Sequence, residues 1–132
     1  YKTNTEYNEV TDMPEIQMGM GESRFADIVW AHEPVTSSEL VKLGASELGW
    51  KRTTVHTVLR RLCDKGLFRN DGGTVTAVIS RAEFYSMRSQ KVVEESFGGS
   101  LPAFIAAFTS TQPLTGEERA EILRMIENAK ED

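Results

Sequence analysis

Apolar residues recur at the spacing of an α-helix near the start of the chain. A first stripe begins after Glu22 and comprises Phe25, Ile28, Val29 and Trp30. Pro34 stops this stripe, because proline disfavours helical geometry in the residue before it. A second helix is predicted from Thr36, since Thr36 and Glu39 have the spacing of a capping box, and Gly49 ends it.

The stretch from residue 51 to residue 65 predicts a third helix with two different faces. Its apolar positions repeat at i, i+3, i+4, i+7 and i+8 and are assigned to the core: Val55, Val58, Leu59, Leu62 and Cys63. The opposite face carries hydroxyls, an imidazole and a guanidinium, which can hydrogen-bond base edges or phosphates, and it comprises Thr53, His56, Thr57, Arg60 and Asp64. Lys51 and Arg52 lie at the start, where the positive helix end also attracts an anion.

The periodicity changes after Gly66. Two short β-type runs, 67–70 and 74–79, are separated by Asp71, Gly72 and Gly73, which favour a hairpin turn. Three helices followed by a hairpin, with the third helix basic, are typical of a winged helix. In that arrangement the third helix enters the major groove of DNA and the hairpin wing lies along the backbone.

The last third of the chain predicts three further helices. One runs from a capping box at Ser80 and Glu83 to about Phe97, a short one follows Ser100, and the last follows a capping box at 115–118. Three helices of this size cannot enclose a core alone, so we expect them to pack against the same helices of a second chain. The residues assigned to this dimer contact are Phe84, Phe97, Leu101, Phe104, Ile105, Phe108, Ile122, Leu123 and Ile126.

These elements define the expected fold class and domain organisation. The fold is mainly α, a winged helix-turn-helix domain with a small β-hairpin wing, followed by a helical dimerisation domain. A flexible tail is expected over residues 1–20, the winged-helix DNA-binding domain over 21–80 and the helical dimerisation domain over 81–132. Whether residues 1–12 are native stays open, with Met13 as a candidate start of the native chain.

The distribution of charge points to an anionic partner. The chain has a formal net charge of −5, yet residues 51–69 hold six of its fifteen Lys and Arg residues and one acidic residue, Asp64. A basic cluster on one helix is typical of nucleic-acid binding, although a charged run is also typical of a solvated helix surface. The hydroxyls and imidazole between the charges favour DNA over a merely solvated face.

Composition argues against several other classes of protein. One cysteine excludes an intramolecular disulfide framework, and no stretch approaches the ~18 apolar residues of a membrane span, so we expect a cytoplasmic protein. His56 and Cys63 share a helical face but lie about 10 Å apart along its axis, too far to hold one metal ion. With two histidines and no glycine-rich phosphate loop, we expect no enzyme activity, no metal and no cofactor.

The third helix and the C-terminal half resemble the penicillinase and methicillin-resistance repressor family. The motif T-x-x-T-x-L-x-R-L-x-x-K-G runs from Thr54 to Gly66 after Trp50, and the stretches GGSLPAFIAAF and LTGEERAEILRMIE are also similar. The resemblance covers roughly residues 22–130. It implies a bacterial, homodimeric repressor that blocks transcription at a dyad-symmetric, double-stranded DNA operator until a signal releases it.

The resemblance also assigns roles to individual residues. Thr54, His56 and Thr57 occupy base- and phosphate-facing positions of the family, and Arg61 and Lys65 match its basic positions. With the charge pattern, the predicted DNA-binding residues are Lys51, Arg52, Thr53, Thr54, His56, Thr57, Arg60, Arg61 and Lys65. The family's basic and aromatic wing positions are held here by Thr74, Ala77 and Val78.

The resemblance further implies a route of release. In the family, a membrane sensor of β-lactam antibiotics leads, through an antirepressor protease, to cleavage within the short helix of the dimerisation domain. That helix corresponds to residues 101–110 here, and the family's Asn-Phe pair aligns with Ala107 and Phe108. The aromatic residue is kept and the asparagine is not.

An alternative interpretation is a winged-helix adaptor that binds another protein and not a specific DNA sequence, because the fold alone does not imply DNA binding. The face that includes Thr53 and Arg61 discriminates between the two interpretations. An adaptor would be expected to carry apolar residues there, since the centre of a protein interface is depleted of charge.

Overall fold

The computed structural model describes residues 18–131, which form six α-helices and three short strands. The helices are α1 (Met20–His32), α2 (Ser37–Leu43), α3 (Arg52–Asp64), α4 (Arg81–Phe97), α5 (Leu101–Thr111) and α6 (Gly116–Asn128). The strands are β1 (Val35–Thr36), β2 (Phe68–Asp71) and β3 (Thr74–Ala77). The predicted fold class, a mainly helical chain with a winged helix and a further helical unit, is confirmed.

The three strands form an antiparallel sheet in the order β1-β3-β2. Strands β2 and β3 make the predicted hairpin, with Phe68 opposite Ala77. Gly72 and Gly73 occupy its turn with φ of 60° and 99°, a left-handed region that glycine enters without steric cost. The sequence pattern does not predict β1, because a strand of two residues is too short to show alternation and forms only by pairing with β3.

Helix α2 begins at the predicted cap. The Thr36 hydroxyl oxygen accepts a hydrogen bond from the backbone N of Glu39 at 3.1 Å. Beyond Leu43 the chain continues as a π-helical turn, Gly44–Leu48, and ends at Gly49 with a φ of 69°. The second predicted helix therefore ends where expected, but its last turn is wider than that of an α-helix.

Helices α1 to α3, the sheet and the start of α4 enclose one hydrophobic core. Its buried residues are Phe25, Ala26, Ile28, Val29, Val35, Leu40, Val55, Val58, Leu59, Leu62, Leu67, Phe68, Val75 and Phe84. At the edge of this core, the indole Nε1 of Trp30 donates a hydrogen bond to the carbonyl oxygen of Ile79 at 3.0 Å. The stripes predicted for the first and third helices are confirmed as core faces, with Cys63 half-buried at the margin.

Phe84 belongs to this core and not to a free surface. It is fully buried, and its ring centroid lies 5.4 Å from that of Trp30. The sequence pattern assigns Phe84 to the dimer contact, and the structure corrects this, because a side chain with 0 % exposure in one chain offers no surface to a second. Helical spacing identifies an apolar face, but it does not say which neighbour covers that face.

The chain divides into two compact units within α4, between Lys91 and Val92. The sequence places the domain boundary earlier, between residues 80 and 81, where Ser80 and Glu83 form the predicted capping box at 3.0 and 2.8 Å. This capping box marks the start of a helix and not the end of a unit. The first turns of α4 belong to the first unit because Phe84 fills its core.

The structure describes only the last part of the predicted tail. Residues 1–17 of the predicted tail lie outside the described residues. Met18 packs against the core and Met20 begins α1, so these residues do not behave as the predicted tail.

The second unit contains the end of α4, and helices α5 and α6. Gly98 and Gly99 have φ of 58° and 82° and separate α4 from α5. Ser100 caps α5 through a hydrogen bond from the backbone N of Ala103 at 3.0 Å, and a capping box of Thr115 with Glu118 begins α6 at 3.0 and 2.9 Å. Both predicted caps are confirmed. No residue of α5 or α6 is buried, so these described helices have no closed core within one chain.

Candidate nucleic-acid interface

Helix α3 presents most of the predicted DNA-binding residues to solvent. The exposed ones are Lys51, Arg52, Thr53, Thr54, Thr57, Arg60 and Arg61. His56 and Lys65 are half-buried at the sides of the helix. Because the four buried residues of α3 are all apolar and lie on its other side, the exposed set forms one continuous polar surface.

The preceding helix fixes the position of α3. Gly44 is buried, and a Cβ atom added to it would lie 2.6 Å from Cγ2 of Val55, so the backbone of the π-helical turn approaches α3 closely. Trp50, between the two helices, stacks on Phe25 of α1 with 5.4 Å between ring centroids. These contacts hold the second and third helices in a helix-turn-helix arrangement, which keeps one face of α3 outward.

The start of α3 is electropositive. Lys51 is the N-cap residue, Arg52 is the first helical residue, and the first turn has no acidic residue. The free backbone N–H groups of a helix start carry a partial positive charge, to which the two cationic side chains add. This end of the helix therefore favours an anion such as a DNA phosphate.

The C-terminal half of α3 is bound to α1 by ion pairs. Glu22 accepts from Arg61, with 3.1 Å between Nη1 and Oε2, and from Lys65, with 3.1 Å between Nζ and Oε1. Oε1 also accepts from the backbone N of Gly19 at 3.3 Å. The Glu22 and Lys65 side chains are only 12 % and 17 % exposed, whereas that of Arg61 is 52 % exposed. Two of the predicted DNA-binding cations thus share one carboxylate.

This environment shifts the pKa of Glu22. Burial acts to raise the pKa of the carboxyl, but hydrogen bonds from Lys65, Arg61 and the Gly19 backbone outweigh burial and lower the pKa below its ordinary value. The sequence pattern does not assign Glu22 to the site. Its partners lie 39 and 43 positions further along the chain, so no local pattern could indicate them.

Cys63 lies at the edge of the core beside the polar surface. Burial, followed by the nearby charge of Asp64, raises the pKa of its thiol. A raised pKa keeps the thiol protonated and less nucleophilic. The residue therefore has the character of a packing thiol, as predicted, although it is half-buried and not fully in the core.

The wing has little positive charge. Arg69 is exposed on β2, and Asp71 is exposed at the end of the same strand. The turn is closed by the Asn70 side chain, whose Oδ1 accepts from the backbone N of Gly73 at 2.9 Å. Because the two charges of the hairpin cancel, the positive charge of this surface comes from α3.

The residues assigned to a dimer contact fall into three groups. Five of them are exposed in the second unit: Leu101, Ile105, Phe108, Leu123 and Ile126. Three are half-buried: Phe97, Phe104 and Ile122. The remaining one, Phe84, is in the core of the first unit. An open apolar groove of about 490 Å³ runs between α5 and α6, and six residues of the first two groups line it: Leu101, Phe104, Ile105, Phe108, Ile122 and Ile126.

Comparison with known proteins identifies the family. The family model described as penicillinase repressor matches residues 18–128. The chain belongs to this family. It is 25% identical over 118 residues to the penicillinase repressor of Bacillus licheniformis. The matched region covers 86% of this chain and 92% of that relative.

As a member of the penicillinase repressor family, the protein is a DNA-binding transcriptional repressor and not an enzyme. The helical surface of α3 and the wing are the parts of its fold that correspond to the DNA-binding elements of a winged helix. Among residues 18–131, no helix has both the length and the apolar character needed to cross a membrane.

Proposed function

We propose that this repressor is a homodimer that binds a dyad-symmetric operator through the exposed face of α3, residues 51–65. The observation that carries the proposal is the composition of that face. It presents cations, hydroxyls, a half-buried imidazole and one carboxylate, Asp64, on a helix whose opposite side packs against the core. A protein-interaction adaptor would need apolar residues at the same place.

The residues of the face divide between two tasks. Thr53, Thr54, His56 and Thr57 carry short or planar groups that can distinguish base edges in the major groove. The cations surround this group and contact phosphates, which hold the helix in register without reading sequence. These cations are Lys51, Arg52, Arg60, Arg61 and Lys65.

A second copy of the chain covers the apolar surface of the second unit. Side chains such as Phe108 and Ile126 are 50% and 63% exposed in one chain, and large apolar side chains at this exposure favour association. The relative that matches most of the chain is itself named as a repressor. Two-fold symmetry then presents two copies of α3 to two operator half-sites.

Release follows from separating the two DNA-contacting helices. In the family that the chain resembles, a protease acting for a membrane sensor cuts the short helix of the dimerisation domain. Ala107 and Phe108, which align with the family's Asn-Phe pair, are both exposed on α5. Losing the second half-site contact removes avidity by a factor of about 10² to 10⁴. The dimer is therefore the element on which the signal acts.

Selection of bound duplexes from a random library tests the operator. We expect two half-sites about 34 Å apart, because a two-fold dimer holds its recognition helices one helical turn of DNA apart. The logarithm of the association constant should fall by about 0.9 for each tenfold increase in salt concentration and for each phosphate contacted. A preferred site with one unpaired half-site would contradict the dimer, and a flat salt response would favour the adaptor.

A fragment of residues 18–91 tests the role of the second unit. It keeps Phe84 and therefore the complete core of the first unit. We expect it to fold, to sediment as a monomer, and to bind the operator at least about tenfold more weakly than the full chain. A dimeric fragment with full affinity would contradict both the dimer assignment and the release mechanism.

A further inference from the structure

Glu22 is a charged residue of the interface that DNA recognition does not explain. It lies on α1, outside the recognition helix, and its two carboxylate oxygens are bound to Arg61 and Lys65 of the α3 region. The three charges together amount to +1, whereas the two cations alone would amount to +2. The carboxylate therefore halves the positive charge that this part of α3 offers to DNA.

A carboxylate and a phosphate oxygen bind the same donors. Both accept charge-assisted hydrogen bonds from guanidinium and ammonium groups, and an N–H that is directed at one acceptor is not available to another. Glu22 is held in place by its burial and by the Gly19 backbone N–H, so it is a permanent competitor within the protein. Arg61 lies at the margin, 52 % exposed, where a DNA phosphate could replace Glu22 as its partner.

We propose that Glu22 weakens the binding of DNA of every sequence by competing with backbone phosphates for Arg61 and Lys65. This inference rests on the proposed contact between α3 and DNA. Phosphate contacts carry no sequence information, so the effect is equal on operator and on random duplexes. Its consequence is a weak half-site contact, which makes stable repression depend on both subunits of the dimer.

Competition between Glu22 and DNA can be distinguished from a purely structural role of the Glu22 ion pairs. Helices α1 and α3 are already joined by buried side chains such as Phe25 and Leu62, and the Glu22–Arg61 pair, whose arginine is 52 % exposed, adds little to stability. The Glu22–Lys65 pair is mostly buried and contributes more, so the melting temperature of a variant is measured together with its affinity. The glutamine of a Glu22→Gln variant keeps the length of the side chain and an oxygen acceptor, but it removes the charge. The variant therefore changes competition for the cations much more than packing.

The test is titration of full-length Glu22→Gln with a random-sequence duplex and with the selected operator at several salt concentrations. We expect affinity for both duplexes to rise by about three- to tenfold, and the salt slope to steepen by about 0.9 for each additional phosphate that the variant binds. Unchanged or weaker binding of random duplex, at an unchanged melting temperature, would overturn the proposal.

Asp27→Asn is the matched control. It removes one negative charge from the same helix, but the partner of Asp27 is Arg81, at 2.9 Å, and not a residue of α3. We expect it to change DNA affinity much less than Glu22→Gln does. Equal increases in affinity from both variants would show a general effect of net charge and would overturn the proposal. The increase should also vanish when Glu22→Gln is combined with Arg61→Ala and Lys65→Ala.

A second comparison does not depend on the folding of the Glu22 variant. Lys65→Gln and Arg60→Gln remove the same charge, but Lys65 is paired with Glu22, whereas Arg60 is exposed on α3. We expect Lys65→Gln to weaken random-duplex binding clearly less than Arg60→Gln. Equal losses would overturn the proposal. If the wild-type protein bound no duplex even at low salt, the proposed function itself would fail, which separates the two failures.

Discussion

Gly44 of the π-helical turn lies directly against Val55 of α3, because a Cβ atom added at residue 44 would come within 2.6 Å of Val55 Cγ2. No side chain larger than hydrogen fits between the two helices without a shift. This contact sets the distance between α3 and the helix that precedes it. The outward position of the proposed DNA-binding face thus depends on a glycine that contributes no chemistry of its own.

Gly44→Ala is expected to destabilise the first unit by about 1 to 3 kcal/mol, the usual cost of adding a group to a packed core. Because Val55 must move, α3 should also shift and DNA affinity should fall. Urea unfolding and duplex titration measure the two effects. Gly116→Ala is the control, since a Cβ atom there meets nothing within 4 Å, and it should leave both quantities nearly unchanged. Equal stability of the two variants would contradict the close contact.

Substitution by alanine should affect stability at Phe84 and dimerisation at Phe108. Phe84→Ala removes a fully buried ring from the first unit and should lower its free energy of unfolding by about 3 to 5 kcal/mol. Phe108→Ala alters an exposed side chain of α5, so the first unit should keep its stability. The dissociation constant of the proposed dimer should rise. Thermal unfolding and sedimentation distinguish them. A stable, monomeric Phe84→Ala protein would contradict its place in the core.

The recognition face should separate into sequence-reading and backbone-binding residues. His56→Ala should reduce the preference for the operator over random duplex by about 1 to 3 kcal/mol if the imidazole contacts a base. Arg60→Ala should weaken both duplexes equally, because a phosphate contact is independent of sequence. Titrations of both variants against both duplexes provide the comparison. Equal losses for His56→Ala on the two duplexes would remove it from the base-contacting residues.

The ion pairs of Glu22 predict how stability depends on pH. The folded state lowers the pKa of Glu22 below that of the unfolded chain, so the unfolded state binds more protons in acid. The contribution of the ion pairs is fully present above the unfolded pKa of about 4.3, and it is lost as pH falls through the folded pKa. Urea unfolding between neutral pH and pH 3 should show a smaller loss for Glu22→Gln than for the wild type. Parallel pH profiles would contradict this assignment.

Local features of the sequence determined where the helices lie and which face of α3 is polar. The caps at Ser80, Ser100 and Thr115 are predictable because each cap bonds backbone groups within three residues of itself. The polar face of α3 is predictable because helical periodicity repeats over the 13 residues of the helix. Family membership follows from the same local motif, since Thr54 to Gly66 keep a spacing set by one helix and its end.

Tertiary structure alone decided which distant residues meet. It paired β1 with β3, placed Phe84 against Trp30, and bound Glu22 to Arg61 and Lys65 across about 40 positions. Periodicity specifies that a residue faces inward or outward, but it does not specify which neighbour it meets. That choice depends on how the helices and the sheet pack together, and only the packed core fixes it.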